Sequence, residues 1–336
     1  MKAKRLVFPS KLRVEVETFD LPDSLKPGEV MVENLYGLIS PGTELAMFTE
    51  THVGFPIPDF RYAKFPFRPG YAAVGRVVSV GEGVENLRVG DTVFTRGLHA
   101  SHAVVSTSRG VSKVPEGVPT ERVPFTALAV IAFTSVRLSE ARFGCNVAVF
   151  GQGLVGNLAA QLMRCAGARQ VIGIDTVPER LEIAAKCGVD IQINPARENL
   201  SEKIREHTNG AGCQLVVEAT GNPEVAPQAL KIAAQMGKVI LLGSPRGSAQ
   251  IDLYFDLHRT GVSLIGAHAS RQTDATQYGD PEPNELMLEF IIKERLAIAP
   301  LITHISPASK AQAAYTGLLN EKDRYLGILL DLRQWN

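Results

Sequence analysis

The stretch Val147-Ala-Val-Phe-Gly-Gln-Gly-Leu-Val-Gly156 joins a short apolar run to a turn that carries three glycines. Residues 147–150 have the composition of a buried strand, and residues 154–166 have the pattern of a helix that stops at Gly167. The glycines follow the spacing G-x-G-x-x-G between strand and helix. The stretch therefore predicts the first strand, turn and helix of a βαβ unit that binds a dinucleotide.

Each glycine has its own physical role in such a turn. The first permits the tight turn, the second leaves room for a pyrophosphate against the backbone, and the third lets helix and strand pack closely. The start of the helix offers free N–H groups and a positive dipole end to the phosphates. The residues of this turn that we expect to bind the dinucleotide are Gly151, Gln152, Gly153, Leu154, Val155 and Gly156.

An acidic residue follows the second predicted strand. Residues 170–174 lead to Asp175, at about the expected distance from the glycines. A carboxylate here accepts hydrogen bonds from the ribose hydroxyls and repels a 2′-phosphate, and Thr176 rather than an arginine comes next. We therefore predict NAD rather than NADP as the cofactor. The alternative is that Asp175 caps the helix that begins near Pro178.

Further residues complete the predicted dinucleotide site. Arg180 either covers the adenine or lies on the helix surface. Thr220, Gly243 and Ser244 follow the fourth and fifth predicted strands, so we expect them near the nicotinamide half of the cofactor.

The organisation of the chain changes at about residue 120. Residues 1–118 carry β-type runs separated by turn signals, which is typical of a compact, barrel-like β domain. Beyond residue 120 helices and strands alternate, which predicts an α/β fold with a doubly wound parallel sheet. Its six predicted strands cover residues 147–150, 170–174, 190–193, 214–218, 238–242 and 263–266. Residues 270–336 carry two more helical segments and a final strand.

Composition excludes several classes of function. The 336 residues are 45% hydrophobic and 21% charged with a formal net charge of zero, so there is no electrostatic case for binding nucleic acid or an anionic membrane. The longest apolar run, residues 123–136, predicts a buried helix too short to span a bilayer. The N-terminal residues MKAKRLVF lack the apolar core of a secretion signal, and the four cysteines lack metal-ligand spacing. We expect a cytoplasmic protein with reduced thiols.

The chain as a whole resembles the medium-chain dehydrogenases/reductases, the alcohol dehydrogenase-like superfamily. The segments that carry the resemblance are GLISPGTEL at 37–45, PGYAAVGRVVSVGEGVENLRVGDTVF at 69–94, VFGQGLVG at 149–156, VIGID at 171–175 and GKVILLGS at 237–244. The resemblance implies a GroES-like catalytic domain from residues 1–118 and 270–336, and a Rossmann domain from residues 119–269. It also implies a homodimer or higher homo-oligomer, in which the strand at 263–266 could pair with its copy.

The zinc ligands of the superfamily are not found in this chain. Zinc-dependent members have Cys-Gly-Thr/Ser-Asp, then Gly-His-Glu, then a cysteine or acid before the nucleotide motif. The corresponding residues here are Pro41, Tyr71 and Thr126, which are not zinc ligands. No cysteine precedes Cys145, so the structural zinc loop is missing too. We expect no metal, and the segments SPGTE and PGY resemble a zinc-less branch that includes bacteriochlorophyllide hydroxyethyl dehydrogenases and sugar or cyclitol dehydrogenases.

The resemblance also nominates residues for proton transfer without zinc. Thr43 matches the hydroxyl residue that relays the substrate proton in zinc-containing relatives, and Glu44 matches the neighbouring acid. Tyr71 replaces a ligand histidine, so its phenol could donate to a carbonyl oxygen or, deprotonated, accept a hydroxyl proton. Alternatively, Thr43 and Glu44 only begin a helix, and Tyr71 only fills the volume that the metal site has left.

Histidines supply a second set of candidates. His99 matches a substrate-pocket aromatic of the relatives, and His102 matches a position where an aromatic packs. His268 follows the sixth predicted strand, at the sheet edge where ligands bind in this fold. Each could instead be a packed or surface histidine.

Three functions are compatible with this pattern. The first is an NAD-dependent, zinc-independent oxidoreductase that interconverts a secondary alcohol and its ketone, the substrate being a sugar, cyclitol, polyol or hydroxyalkyl side chain. The second is a zinc-free quinone or enoyl reductase that uses NADPH, against which Asp175 argues. The third is a nucleotide-binding protein without catalysis, which the loss of metal ligands permits.

Overall fold

The computed structural model describes residues 1–60, 62–108, 110–270 and 282–335. Contacts between Cα atoms divide the chain into two compact units. The first unit comprises Met1–Ala127, Asn284–Ile292 and Ile302–Asn336, and the second comprises Leu128–Pro283 and Lys293–Leu301. The pattern of strands and turns in the sequence predicts the first boundary near residue 118, whereas the first segment of this unit ends at Ala127.

The first unit is rich in strands. Numbered in chain order, its strands are β1 (Lys2–Val7), β2 (Glu15–Asp20), β3 (Glu29–Leu38), β4 (Ala73–Val80), β5 (Thr92–Thr95), β6 (His102–Ser106), β7 (Val111–Lys113), β14 (Ile302–Pro307) and β15 (Gly327–Asp331). Its helices are α1 (Pro41–Phe48), α7 (Pro283–Ile292) and α8 (Ala311–Asn320).

The described residues of the first unit form two sheets and two apolar core clusters. Strands β1 and β2 form an antiparallel pair, and a larger sheet has the order β14-β15-β3-β4-β5-β7, with β6 also paired to β3. Phe8, Phe48 and Tyr315 are almost fully buried and contact one another through their rings in the core beside this sheet. This core therefore holds α8, from the C-terminal part of the chain, against α1.

The second unit alternates helices and strands as the sequence predicts. Its strands are β8 (Asn146–Phe150), β9 (Gln170–Ile174), β10 (Ile191–Ile193), β11 (Cys213–Glu218), β12 (Ala233–Leu241) and β13 (Ser263–Gly266). Its helices are α3 (Leu154–Cys165), α4 (Pro178–Lys186), α5 (Leu200–His207) and α6 (Val225–Ile232), and α2 (Thr126–Ser139) crosses the boundary between the units.

The six strands described in the second unit form one parallel sheet in the order β10-β9-β8-β11-β12-β13. Counted from β8, this is the order 3-2-1-4-5-6 of a dinucleotide-binding fold, and the order reverses between β8 and β11. Ligands of open parallel sheets bind at the carboxyl ends of the strands at this reversal. The predicted α/β class with its doubly wound parallel sheet is confirmed, and the glycine turn follows β8 at the reversal point.

Helix α6 and strand β12 differ from the sequence prediction. A helix was expected over residues 223–235, but it ends at Ile232, and Ala233 begins β12 and pairs with Cys213 of β11. The pairing slips before Lys238 resumes it, and Met236 has a φ of 61°. The sequence pattern does not reveal this part of β12, because its residues favour helix and its pairing with β11 is interrupted by a bulge.

Three strands were also missed by sequence reasoning: β1, β7 and β14. Strand β1 pairs with β2 along the sequence Lys2–Val7, whose alternation is broken by three basic residues. Strand β7 has only three residues, too few for a pattern to be visible.

The apolar helical stretch is longer than the sequence predicts. A 3₁₀ turn, Thr120–Phe125, precedes α2, and the two together give one helical run, Thr120–Ser139. This run of 20 residues is the one helix in the described chain that is long and apolar enough to cross a membrane. However, 67% of its most apolar window is buried in the protein, as in the core helix of a folded domain.

Candidate functional site

Tyr71 lies in the first unit, between a glycine and strand β4. A Cβ at Gly70 would overlap the backbone N–H of His99, and its φ is 106°, so only glycine fits there. This close approach fixes where the following tyrosine emerges. The Tyr71 hydroxyl donates to Ser40 Oγ at 2.5 Å and also hydrogen-bonds to the Thr43 side chain. A phenol and two aliphatic hydroxyls therefore meet at the start of α1.

Ser40 is the N-cap residue of α1, with Pro41 in the first turn. An N-cap serine ordinarily accepts from a helix N–H through its side chain. The Ser40 side chain makes no such bond, and its hydroxyl accepts from Tyr71 instead. The Ser40 N–H donates to Glu44 Oε1 at 3.0 Å, so the Glu44 carboxylate satisfies a backbone donor at the N-terminus of α1.

Glu44 is buried beneath this cluster, with 1% of its surface exposed. Its Oε2 accepts from the hydroxyl of Tyr315 in α8 and lies 3.1 Å from Nε2 of His99, which is fully buried. Because a carboxylate only accepts hydrogen bonds, His99 donates through Nε2. Among the described residues no partner is found for His99 Nδ1, and a Cβ at Gly37 would lie 2.5 Å from it.

The surroundings of Tyr71 raise its pKa to about 12. Burial is the largest cause, and the negative charge of Glu44 adds to it, whereas the hydrogen bonds of Ser40 and Thr43 and the charge of Arg96 oppose it. A phenol with this pKa carries its proton at neutral pH. The free protein therefore presents Tyr71 as a hydrogen-bond donor.

The glycine turn of the second unit divides its three glycines into different roles. Gly151 has a φ of 83°, which L side chains rarely adopt. A Cβ at Gly153 would meet nothing within 4 Å, so this position faces open space. A Cβ at Gly156 would overlap the Gly151 carbonyl oxygen and lie 3.1 Å from Ala219 Cβ. Gly153 thus borders open space, whereas Gly156 lies where helix α3 approaches the turn after β8 closely.

Side chains within the turn point inward. Gln152 is fully buried, and its Nε2 donates to the Val149 carbonyl at 2.9 Å. Leu154 is 3% exposed, and Val155 is partly buried. Backbone groups rather than these side chains are therefore what the turn offers to a ligand.

Asp175 joins the end of β9 to the glycine turn. Its Oδ2 accepts from the Gln152 N–H at 2.7 Å and its Oδ1 from the Val177 N–H at 2.9 Å. Helix α4 is capped by Val177 rather than by Asp175, and the cap has no side-chain hydrogen bond. Since a carboxylate has about four acceptor positions, Asp175 keeps capacity for two hydroxyl donors. Arg180, also in α4, has a buried Nε with no partner among the described residues.

Glu218, at the end of β11, was missed by sequence reasoning. Its Oε1 accepts from the Thr220 N–H at 2.7 Å, the Gly221 N–H at 3.2 Å and the Thr220 hydroxyl. Its carbonyl accepts from the Gly243 N–H at 2.7 Å. Burial raises the pKa of the Glu218 carboxyl. Glu218 thus connects the ends of β11 and β12. The sequence feature that could have identified it is an acidic residue at the end of an apolar strand.

The predicted site residues fall into two groups. Thr43, Glu44, Tyr71 and His99 come together in the first unit, with Ser40 and Tyr315 as members that sequence reasoning missed. His268 belongs to the second unit, where it is exposed and its Nδ1 lies 2.9 Å from Ser270 Oγ.

The remaining candidates lie at the ends of strands or in the loops that follow them. His102 begins β6 and lies 3.1 Å from Ser101 Oγ, and burial lowers its pKa. Thr220 and Ser244 are exposed at the strand ends, and a Cβ at Gly243 would overlap the Gly221 N–H. Because Gly243 lies so close to Gly221, the loops after β11 and β12 are in direct backbone contact.

The described residues contain no group of three His, Cys, Asp or Glu side chains that could hold a metal ion. The side chains at the positions of the superfamily's zinc ligands are those of Pro41, Tyr71 and Thr126. None of them is a thiolate, imidazole or carboxylate, so this donor set does not fit Zn²⁺.

Two family models match the chain in succession. Residues 26–127 match the alcohol dehydrogenase GroES-like domain, and residues 155–280 match the domain described as zinc-binding dehydrogenase. Together they span most of the first unit's N-terminal part and most of the dinucleotide fold.

Known proteins of similar sequence and structure are dehydrogenases. An L-threonine 3-dehydrogenase of Caldanaerobacter subterraneus is 29% identical over 74% of this chain and 78% of its own length. A D-guloside 3-dehydrogenase of Escherichia coli is 29% identical over 74% of this chain and 73% of its own length. An Escherichia coli oxidoreductase/dehydrogenase of unknown specificity has the same fold, with a TM-score of 0.86, 20% identity and coverage of 98% of this chain and 99% of that one. The chain therefore belongs to the medium-chain dehydrogenase/reductase superfamily, as an alcohol dehydrogenase-like oxidoreductase.

Proposed function

We propose that the chain is an NAD-dependent, zinc-independent oxidoreductase that interconverts a secondary alcohol and its ketone. The observation that carries the proposal is Tyr71, a protonated phenol held by Ser40 and Thr43 at the position of a zinc-ligand histidine. Oxidation of an alcohol needs a group that handles the hydroxyl proton while hydride leaves carbon. Tyr71 supplies that group without a metal.

The residues fit a nicotinamide dinucleotide, which when bound supplies the hydride acceptor or donor. Backbone groups at Gly151 and Gly153 would receive the pyrophosphate, and Asp175 would accept from the adenosine ribose. In the reduction direction, Tyr71 donates its proton to the carbonyl oxygen. In the oxidation direction Tyr71 must first lose its proton to solvent; as phenolate it receives the hydroxyl proton, and the Ser40 and Thr43 hydroxyls hold its oxygen in place.

A coupled assay tests this proposal. Purified, tag-free protein would be mixed with NAD and with 2,3-butanediol, myo-inositol, sorbitol or 1-phenylethanol, and NADH absorbance would be followed. We expect turnover on at least one secondary alcohol, insensitivity to a zinc chelator and no stoichiometric zinc in elemental analysis. NADPH-linked reduction of quinones or enones alone would favour the second hypothesis, and dinucleotide binding without turnover on the panel would favour the third.

Asp175 gives a prediction about cofactor choice. Asp175→Asn removes the charge but keeps an oxygen acceptor for a backbone N–H, whereas Asp175→Ala removes both. We expect both changes to weaken the binding of NADH by roughly tenfold, because one charged hydrogen bond is worth about 1.5–3 kcal/mol. The ratio of Kd for NADPH to Kd for NADH should fall by at least the same factor. The measurement is Kd for each cofactor by fluorescence titration. A wild-type protein that already prefers NADPH would show that the ribose assignment is wrong.

Self-association is part of the proposal. Strand β13 is an edge of the parallel sheet, with Ser263 and Gly266 exposed, and an edge strand presents unpaired backbone groups that a second copy could extend. Light scattering at micromolar concentration should show a dimer or a larger homo-oligomer, and a monomer would contradict it. All four cysteines are free, which supports our inference of a cytoplasmic location.

A further inference from the structure

A buried carboxylate lies directly behind the phenol that the proposed function uses. Glu44 receives hydrogen bonds from three parts of the chain: the Ser40 N–H, His99 Nε2 and the Tyr315 hydroxyl. Both oxygens are occupied and 1% of the residue is exposed. Glu44 therefore has no open face toward a substrate, and neither does fully buried His99.

Ser40 connects this carboxylate to Tyr71. Its N–H donates to Glu44 and its hydroxyl accepts from Tyr71, so one residue carries both contacts. The serine side chain makes no capping hydrogen bond to α1, and the hydrogen bond with Tyr71 is its side-chain contact in this cluster. If Glu44 moved, the Ser40 backbone would lose its anchor and the Tyr71 hydrogen bond would shift with it.

We propose that Glu44 is a positioning residue for Tyr71: His99 and Tyr315 fix the carboxylate, and the carboxylate fixes Ser40 and places a negative charge behind the phenol. This inference rests on the proposed acid–base role of Tyr71. Under it, Glu44 and His99 act through Tyr71 and do not touch the reacting atoms.

The charges around the phenol give this arrangement a measurable sign. Glu44 raises the pKa of Tyr71 and Arg96 lowers it, and the Ser40 and Thr43 hydroxyls lower it through hydrogen bonds. Arg96 is held by Asn284 Oδ1, at 3.2 Å from Nε and 2.7 Å from Nη2. Loss of the Glu44 charge should therefore lower the pKa of Tyr71, whereas loss of the Ser40 hydroxyl should raise it.

The test uses the free protein and needs neither cofactor nor substrate. Phenolate absorbance would be recorded by stopped-flow pH jump, faster than alkaline unfolding. The chain has seven tyrosines, so each protein would be paired with its Tyr71→Phe counterpart, and the difference isolates Tyr71. We expect Glu44→Gln to lower the pKa of Tyr71 by about one unit, the size of shift that a nearby like charge produces. Ser40→Ala should move the pKa in the opposite direction.

A raised Tyr71 pKa in Ser40→Ala excludes general damage there, because a loosened fold would expose Tyr71 and lower its pKa; in Glu44→Gln an unchanged near-UV circular dichroism spectrum excludes it. Identical Tyr71 titrations in the wild-type and Glu44→Gln proteins would overturn the inference. If Glu44→Gln does not fold, Ser40→Ala still decides: an unchanged Tyr71 pKa would overturn the link. Failure of the alcohol assay with the expected titration shifts would count against the proposed function alone.

Discussion

Tyr71→Phe is expected to lower kcat for the reaction with a secondary alcohol or ketone by about 10²- to 10⁴-fold, the usual contribution of a general acid or base. The ring remains, so the volume at the start of α1 stays filled and only the hydroxyl is lost. Its two partners, Ser40 and Thr43, stay in place. We expect Kd for NADH to change less than about twofold, because the substitution leaves every residue assigned to the dinucleotide unchanged.

The pH dependence of the reaction has a sign that follows from the raised pKa of Tyr71. A group with a pKa of about 12 is a proton donor throughout the neutral range. Since kcat/KM reports the pKa values of the free enzyme, kcat/KM for ketone reduction should show no loss due to Tyr71 up to about pH 11. In contrast, kcat/KM for alcohol oxidation should increase with pH as the phenolate fraction of Tyr71 grows. Tyr71→Phe should abolish that increase.

Steady-state kinetics in both directions across pH, with NADH binding by fluorescence, makes the measurement. Tyr325→Phe is the matched control, because Tyr325 is stacked on His304 at a centroid distance of 4.1 Å and loses only a hydroxyl. We expect the control to keep wild-type rates within about twofold. Full activity in Tyr71→Phe, or an effect confined to KM, would show that the phenol fills space and does not transfer a proton.

The sequence predicted the parts of this protein that local pattern determines. The strands at β8, β9 and β11 are apolar runs bounded by glycine or an acid, and an alternation of such runs with helices restricts the topology to few choices. The same reasoning missed the start of β12, because pairing of Ala233 with Cys213 overrides a helical pattern. The pairing of a strand depends on residues that are distant in the sequence, so the pattern of one segment cannot reveal it.

The candidate site shows the same division. Thr43 and Glu44 were found because they match the hydroxyl residue and the acid of the superfamily's motif, and Tyr71 because it replaces a ligand histidine. Tyr315 was not found, because it is 271 residues from Glu44 and its helix pattern gives no hint of a polar contact. Ser40 was overlooked since a serine before Pro41 is an ordinary N-cap, and only the structure shows its hydroxyl bound to Tyr71.

The two glycines of the turn should respond to the same substitution in different ways. In Gly156→Ala the new methyl would overlap the Gly151 carbonyl oxygen, a backbone atom that cannot give way. We expect the free energy of unfolding to fall by about 3 kcal/mol or more and NADH binding to be lost, because overpacking against backbone displaces helix α3 from the sheet. Denaturant unfolding and fluorescence titration measure the two effects.

Gly153→Ala is the matched variant, because its methyl would enter open space and its φ of −65° suits alanine. Alanine is a poorer N-cap than glycine, so the free energy of unfolding should fall by no more than about 1 kcal/mol. If the pyrophosphate approaches the backbone here, the methyl occupies the space that the phosphate needs, and NADH affinity should fall at least tenfold, or about 1.4 kcal/mol. An undiminished NADH affinity in Gly153→Ala would place the pyrophosphate elsewhere, whereas an equal loss of stability in both variants would mean that the turn is tight throughout. Stability lost at Gly156 and affinity lost at Gly153 would together show that one glycine holds the fold and the other admits the ligand.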